Sequence, residues 1–258
     1  MRGELVDVPG LSKRVSVGWC FGSSGVSLIE LLIAMAISGV AISASMHLFS
    51  RVGVRLTTQH ATMIANQDLR IGLDVLCSEL RLAGAGLLGG DSPFLKAEAD
   101  EIEFFANLSG VSTTLTQATE VGRQDLPVEE GAGWPKGKHL LVCTAMHCAW
   151  NQLAADGRKQ TLTLATPMAV QLPMRSAVFL LNRVRYYVKR QDDGTMRLMR
   201  DVDGGASTLV SDVGRFELQY LNNNGTMTTD AREVVRVRVT IQVGRQGSML
   251  RRDVAIRM

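Results

Sequence analysis

The feature that most constrains this chain is a run of uncharged, mostly apolar residues near its N-terminus. Between Leu31 and Ser50 there are 20 residues, and none carries a formal charge when histidine is neutral. As an α-helix this run extends about 30 Å, which is the thickness of the hydrocarbon core of a bilayer. A buried helix of a soluble protein is the alternative, but such a helix is seldom apolar on all sides over this length. The sequence therefore predicts one membrane-spanning segment.

A cleavable secretory signal explains the same region less well. Such a signal has a short basic region, an apolar stretch of about 7 to 15 residues and a small-residue cut site after it. Here a polar segment of 25 residues comes first, and the carboxylate of Glu30 lies close to the start of the apolar run. A cut after the run, near residues 43–45, is the alternative to a chain that stays anchored.

Residues 25–34, GVSLIELLIA, resemble the processing site of type IV prepilins. The resemblance implies that a membrane-embedded aspartic peptidase cuts after Gly25 on the cytoplasmic side and methylates the new N-terminal residue, Val26. In that family the first mature residue is usually Phe, and a basic residue often stands just before the cut; this chain has neither.

The same resemblance implies the organisation of the whole chain. Residues 1–25 are a leader peptide, and residues 26–50 are the transmembrane half of a long helix that also serves in assembly. Residues 51–258 are a periplasmic pilin-like globular domain, which includes the amphipathic second half of the helix.

Glu30 is expected to be the assembly residue. An ionised carboxylate within hydrocarbon costs about 3 kcal/mol on insertion scales, so it needs a partner or a function. A cut after Gly25 frees the amine of Val26 about one helical turn away, and a helix N-terminus favours a negative group. The resemblance implies that Glu30 pairs with the amine of a neighbouring subunit, so that the ion pair sets the register of the packed helices. The alternative is that the side chain extends to the membrane surface.

Beyond the span, the pattern predicts a helix that packs on an antiparallel sheet. Apolar residues recur at helical offsets, and the charged residues Arg70, Asp74, Glu79 and Arg81 are expected off that face. The apolar positions are Leu69, Leu73, Leu76 and Leu80. Glycines from Gly84 onward are expected to end a helix that covers residues 26–83.

The C-terminal half alternates apolar and polar residues, which is typical of strands with one buried face. Residues 235–243 show this most clearly, and residues 216–220 show it again. Residues 185–189 and 196–200 are expected to form a hairpin. Residues 107–138 are polar with several glycines, and they predict irregular surface. The fold class is therefore α+β and pilin-like: a long N-terminal helix, first transmembrane and then amphipathic, packed on an antiparallel sheet.

Residues 66–84, 198–225 and 235–243 are similar to PilW-type minor pilins and to the J-type minor pseudopilins of type II secretion systems. This implies a single-pass inner-membrane subunit that sits at a filament tip and primes assembly. The implied partners are the prepilin peptidase, the other minor pilins, the major pilin, the assembly platform in the inner membrane and membrane lipid. Two alternatives stay open: a type II secretion pseudopilin, and an anchored periplasmic binding domain with no filament role.

Three cysteines remain once the leader is removed. Cys77 lies on the helix, whereas Cys143 and Cys148 are close enough in sequence for a small-loop disulfide in an oxidising periplasm. Free thiols are one alternative, and a metal site with His139 and His147 is another, although its spacing is poorly defined.

The charge of the chain argues against a protein devoted to nucleic acid. The full chain has 28 basic and 25 acidic residues, and the leader holds three of the basic and two of the acidic ones. The mature chain is therefore nearly neutral, which is unlike a domain that wraps DNA or RNA.

The sequence contains none of the GxSxG, HExxH or GxxxxGK(S/T) motifs that mark common hydrolase and nucleotide sites. A GxGxxG pattern at residues 84–89 follows a predicted helix, whereas a dinucleotide fingerprint follows a strand. Residues 201–204, DVDG, are similar to the start of a calcium loop but lack its further ligands, so a turn is the simpler interpretation. We expect a protein that is not an enzyme and that needs neither cofactor nor metal.

Overall fold

The computed structural model describes residues 27–84, 92–144, 147–244 and 247–256. The chain divides into two compact units, residues 1–57 and residues 58–258. In the described part of the first unit the secondary structure is helical, whereas the second unit contains the strands.

Helix α1 comprises Leu28–Leu80. At its start, the backbone N–H of Glu30 donates to the carbonyl of Ser27 over 3.0 Å. A turn follows the helix, and Gly84 there adopts a φ of 77°, a conformation that costs a glycine little. The predicted long helix is confirmed over this range, and it ends close to the glycines that were expected to stop it.

The strands of the described residues are numbered in chain order. They are β1 (Phe94–Ala97), β2 (Glu101–Ala106), β3 (Ser112–Thr114), β4 (Asp125–Pro127), β5 (His139–Cys143), β6 (Cys148–Gln152), β7 (Thr161–Thr163), β8 (Ala177–Arg190), β9 (Met196–Val202), β10 (Gly205–Val210), β11 (Val213–Leu221), β12 (Arg236–Val243) and β13 (Met249–Ala255).

The strands form antiparallel sheets of eight, three and two strands. The large sheet follows the order β1-β2-β8-β5-β6, with β3 and β9 also paired to β8 and β10 paired to β9. The small sheets have the orders β11-β12-β13 and β4-β7. The predicted hairpin is the β8–β9 pair, and the clearest predicted strand is β12. The α+β, pilin-like architecture is therefore confirmed, with the strands divided among several sheets.

Strand β8 is the longest strand, at 14 residues, and it serves both halves of the large sheet. Its first half pairs with β3 and β5, and its second half pairs with β2 and β9. Its buried even-numbered residues belong to the two hydrophobic cores: Val178 and Leu180 to one, and Val184 and Tyr186 to the other. Since successive side chains of a strand point to opposite faces, the odd-numbered residues face away from both cores.

The first core lies around the C-terminal part of α1. The leucines that were predicted to form the buried face of the helix, Leu69, Leu73, Leu76 and Leu80, are fully buried there. They cluster with apolar residues of the large sheet and of the three-stranded sheet. Contact with the large sheet is close at Gly72, where an added Cβ would lie 2.4 Å from Val210 Cγ2.

The second core corrects the prediction that residues 107–138 are irregular surface. This stretch contributes the short strands β3 and β4, together with Leu115, Leu126, Val128 and Trp134, to a compact apolar cluster. The strands are only three residues long, and an irregular segment that contains Gly122 separates them, so no alternation long enough to indicate a strand is present in the sequence.

Candidate functional site

The predicted processing site lies just before the part of the chain that the structure describes. Gly25 and Val26 are outside the described residues, which begin at Ser27. The cut after Gly25 and the methylation of Val26 therefore stay predictions from the sequence.

Glu30 is described, and it lies in the first turn of α1 with its side chain exposed. Among the described residues it forms no ion pair. Its position near a helix N-terminus is favourable for a carboxylate, because the first backbone N–H groups of the helix have no partner within the helix. A cation for Glu30 would come from outside the described residues, and a cut after Gly25 would supply one in the amine of Val26.

The helix after Glu30 presents apolar side chains on all sides. Leu28 is 78% exposed and Phe49 is 76% exposed, and no residue between them is buried. This helix is long and apolar enough to cross a membrane. Such a surface requires lipid or other apolar helices around it.

Two serine hydroxyls within the span are satisfied inside the helix. The hydroxyl of Ser43 donates to the Gly39 carbonyl over 2.9 Å, and that of Ser45 donates to the Ala41 carbonyl over 2.8 Å. Both bonds join residues four positions apart within the helix, so neither hydroxyl needs water. These two serines are thus compatible with a hydrocarbon environment.

A second polar site lies at the other end of α1, and the sequence reasoning missed it. Glu79 was expected off the buried face, but it is only 8% exposed. Arg200 of β9 donates to its carboxylate through Nε, over 3.0 and 3.1 Å, and through Nη2 over 2.5 Å. The hydroxyl of Tyr186 on β8 also donates to this carboxylate.

The electrostatics of this cluster follow from burial. Burial raises the pKa of Tyr186, and the hydrogen bond to the Glu79 carboxylate raises it further. The same carboxylate raises the pKa of Arg200. The cluster therefore holds one anion, one cation and one neutral phenol, which joins the end of α1 to two strands of the large sheet.

A signal for the cluster was present in the sequence but was indistinct. Glu79 lies between Leu76 and Leu80, so it borders the apolar face of the helix. Arg200 stands on a strand beside apolar residues, and a pairing across more than 100 residues cannot be recognised from spacing alone.

Cys143 and Cys148 are joined by a disulfide in the structure, with Cα atoms 4.1 Å apart. They close the β5–β6 hairpin, where they occupy paired positions. Cys77, in contrast, is a free thiol buried in the first core, and burial raises its pKa. An unreactive buried thiol is expected to serve packing.

The histidines and the DVDG segment do not converge on a metal-ligating cluster. Within the described ranges, no group of three or more His, Cys, Asp or Glu side chains is arranged to hold a metal ion. The DVDG segment forms the β9–β10 turn, with positive φ at Asp203 and Gly204. The Asp203 carboxylate accepts a hydrogen bond from Asn182 Nδ2 over 2.7 Å and pairs with Lys138.

Comparison with known proteins addresses the N-terminal site directly. The family model described as the prokaryotic N-terminal methylation motif matches residues 21–46, which include Gly25, Val26 and Glu30. No curated protein matches the chain. The matched segment and the long apolar helix that packs on antiparallel sheets together support a type IV pilin-like protein, processed by a prepilin peptidase and anchored by its N-terminal helix.

Proposed function

We propose that this protein is a minor pilin that takes part in type IV pilus assembly, as a structural subunit and not as an enzyme. Prepilin peptidase cuts the chain after Gly25 and methylates Val26. The observation that carries the proposal is Glu30, the one formal charge between residues 27 and 50, in the first turn of an exposed apolar helix. Its carboxylate needs a cation in hydrocarbon, and the amine of Val26 is freed about one helical turn away.

The apolar surface of α1 supports a role in a filament. In the inner membrane, lipid covers this surface, and in a filament the helices of other subunits replace the lipid. The exchange retains the burial of apolar side chains, while pairing between Glu30 and the amine of a neighbouring subunit fixes how far one helix slides along the next.

Residues 51–258 are proposed to lie in the periplasm. A disulfide between Cys143 and Cys148 is compatible with that oxidising compartment. The similarity of residues 66–84 and 198–225 to PilW-type minor pilins supports a position at the filament tip, where the subunit contacts other minor pilins and the major pilin. Assembly then starts from the inner-membrane platform.

The test of processing is the mass of the mature N-terminus, measured on membrane fractions from cells with and without active prepilin peptidase. We expect a peptidase-dependent start at Val26, carrying one methyl group. A chain that remains intact in both strains would refute the proposal. So would a cut near residues 43–45, because the amine would then be removed from Glu30.

The test of the filament role is Glu30→Gln, with Asp68→Asn as a matched control on an exposed acidic residue of the same helix. We expect Glu30→Gln to reduce the number of surface pili and Asp68→Asn to leave it unchanged.

If deletion of the gene leaves piliation normal but abolishes secretion of exoproteins, the subunit is a type II secretion pseudopilin. If deletion changes neither output, an anchored binding domain is the better explanation.

A further inference from the structure

The large sheet has one face that belongs to neither hydrophobic core. On β8 this outer face is formed by the odd-numbered residues, among them Phe179, Leu181 and Arg183. Leu141 of β5 lies opposite Phe179 in the register, so it points to the same face. Leu141 and Leu181 are 1% and 3% exposed although neither belongs to a core, which means that neighbouring side chains cover them.

Three aromatic rings cluster on this outer face, and together they are called the aromatic shelf: Phe105 of β2, His139 of β5 and Trp150 of β6. The centroid of the Phe105 ring lies 4.5 Å from that of His139 and 5.2 Å from that of Trp150. In the register, His139 pairs with Leu181 and Trp150 pairs with Leu141. The rings therefore lie beside the two buried leucines, and Trp150 itself is 37% exposed.

The positions of the rings are set by rigid elements. All three residues stand on strands of one sheet, and Trp150 is two residues from Cys148, whose disulfide closes the β5–β6 hairpin. A shelf fixed in this way loses little side-chain freedom when a ligand binds to it.

The charges around the aromatic shelf are paired with one another. Arg183 pairs with Glu103, and Lys138 pairs with Asp203. Burial, together with the nearby Arg183 guanidinium, lowers the pKa of His139, so its imidazole is neutral at pH 7. The shelf is thus an uncharged aromatic surface. The charged groups at its border form ion pairs with one another, and their N–H groups and oxygens can still hydrogen-bond a ligand.

The geometry points to the aromatic shelf as a binding site for the ring face of a neutral, β-linked hexopyranose in an oligosaccharide or polysaccharide. A pyranose with equatorial substituents presents axial C–H groups on both faces, and these carry partial positive charge. The face of an aromatic ring is negative, so the two surfaces attract and exclude water between them. The bordering carboxylates, guanidinium and ammonium groups can then hydrogen-bond the sugar hydroxyls.

Two other classes of ligand fit the shelf less well. Nucleic acid would bring phosphates, but Arg183 and Lys138 at the border are each already neutralised by a carboxylate. A stable protein interface uses about 20 to 30 residues on each side, whereas the shelf consists of three rings, of which Trp150 is exposed and the other two are partly buried. One or two sugar rings match that size. The inference does not depend on the proposed role in pilus assembly.

Cellotriose is a suitable probe, since it is neutral and the ring substituents of its β-linked glucose units are equatorial, apart from the hydroxyl of the α-anomer at the reducing end. The full chain with Trp19→Phe, purified in detergent, is titrated by calorimetry and by tryptophan fluorescence. Of the remaining tryptophans, Trp134 is 3% exposed and Trp150 is 37% exposed, so a change in emission reports on the shelf. We expect saturable binding with a Kd of about 1 mM and a shift of the emission maximum.

Substitutions on and off the shelf test the assignment. Trp150→Ala is expected to weaken the binding of cellotriose about tenfold or more. Phe105→Leu keeps an apolar side chain over Leu141 and Leu181, and it is expected to weaken binding about threefold. Trp150→Phe should restore most of the affinity, as judged by calorimetry. Met249→Ala, which removes an exposed apolar side chain from the three-stranded sheet, should leave the affinity for cellotriose unchanged.

Circular dichroism and the thermal midpoint establish that each variant is folded. Absence of saturable heat with cellotriose in the parent chain would overturn the inference, as would binding that Trp150→Ala and Phe105→Leu both leave intact. If a short oligothymidylate displaces cellotriose and binds more tightly than cellotriose does, the sugar assignment is wrong. The shelf is then a site for stacked bases.

Discussion

Arg200 Nη2 lies 2.5 Å from Glu79 Oε1, and this ion pair joins the last turn of α1 to β9 of the large sheet. The carboxylate accepts from Arg200 through two nitrogens and also from the Tyr186 hydroxyl. A buried polar cluster with these bonds fixes the position of the helix along and across the sheet, which apolar packing alone defines less sharply. The cluster therefore holds the C-terminal end of α1 against the large sheet.

Glu79→Gln should destabilise the domain, because it leaves the Arg200 guanidinium without its counterion in a site that is largely closed to water. The expected loss in the free energy of unfolding is about 3 kcal/mol, at the lower end of the range for buried pairs because Arg200 keeps some exposure to solvent. Urea unfolding of the full chain in detergent, followed by circular dichroism, measures this loss.

Asp74→Asn is the matched control, since Asp74 is an exposed acidic residue on the same helix that pairs with Arg252. Exposed pairs contribute about 0 to 1 kcal/mol, so this variant should unfold close to the parent chain. Equal losses from the two substitutions would contradict the structural role assigned to Glu79.

Tyr186→Phe should change how stability depends on alkaline pH. Burial, and then the bond to Glu79, raises the pKa of Tyr186 in the folded chain above its value of about 10 in the unfolded chain. Above pH 10 the unfolded chain therefore releases a proton that the folded chain retains, and the folded state loses stability. At pH 11 the contribution of this residue to the loss is about 1.4 kcal/mol.

The free energy of unfolding of the parent chain and of Tyr186→Phe, measured between pH 8 and pH 11, tests this linkage. The difference between the two chains should shrink as the pH rises, because phenylalanine has no proton to lose. Tyr187→Phe, a neighbouring substitution on the outer face, controls for general effects of removing a hydroxyl. A constant difference across the pH range would show that Tyr186 does not titrate as described.

The helix and the central strands could be predicted from the sequence because their signals are local. The apolar run fixes α1, the leucine periodicity identifies its buried face, and the alternation in residues 235–243 identifies β12. Each of these patterns repeats over several turns or residue pairs, so a single polar residue does not obscure it.

The remaining features depend on contacts between distant residues. The second core is built from strands too short to show a period, and the Glu79 cluster joins residues more than 100 positions apart. The aromatic shelf is assembled from Phe105, His139 and Trp150 on three strands, and no sequence spacing indicates that the strands are neighbours. Local pattern therefore predicted the architecture, whereas tertiary pairing decides where its polar and aromatic sites lie.

Gly72→Ala should destabilise the domain although alanine is the better helix former. The added methyl group would lie 2.4 Å from Val210 Cγ2 and 3.3 Å from Leu209 Cγ, and the stiff side chain of valine cannot easily move aside. Overpacking costs about 1 to 3 kcal/mol, which exceeds the gain of about 1 kcal/mol in helix propensity. Thermal unfolding of the full chain should show a lower midpoint. Gly53→Ala, where no atom lies within 4 Å of the added Cβ, should not lower it.

Removing the disulfide should destabilise the second unit by about 2 kcal/mol. The bridge between Cys143 and Cys148 closes a short loop, and the entropy that a short loop removes from the unfolded chain is correspondingly small. The double substitution Cys143→Ser and Cys148→Ser should lower the thermal midpoint, and reduction of the parent chain with dithiothreitol should give the same midpoint. Because Cys77 is 1% exposed, it should not react with a maleimide until the chain unfolds, whereas Cys143 and Cys148 should react as soon as they are reduced. If Cys143 and Cys148 of the native chain react with the maleimide without reductant, the bridge does not form in the protein as isolated.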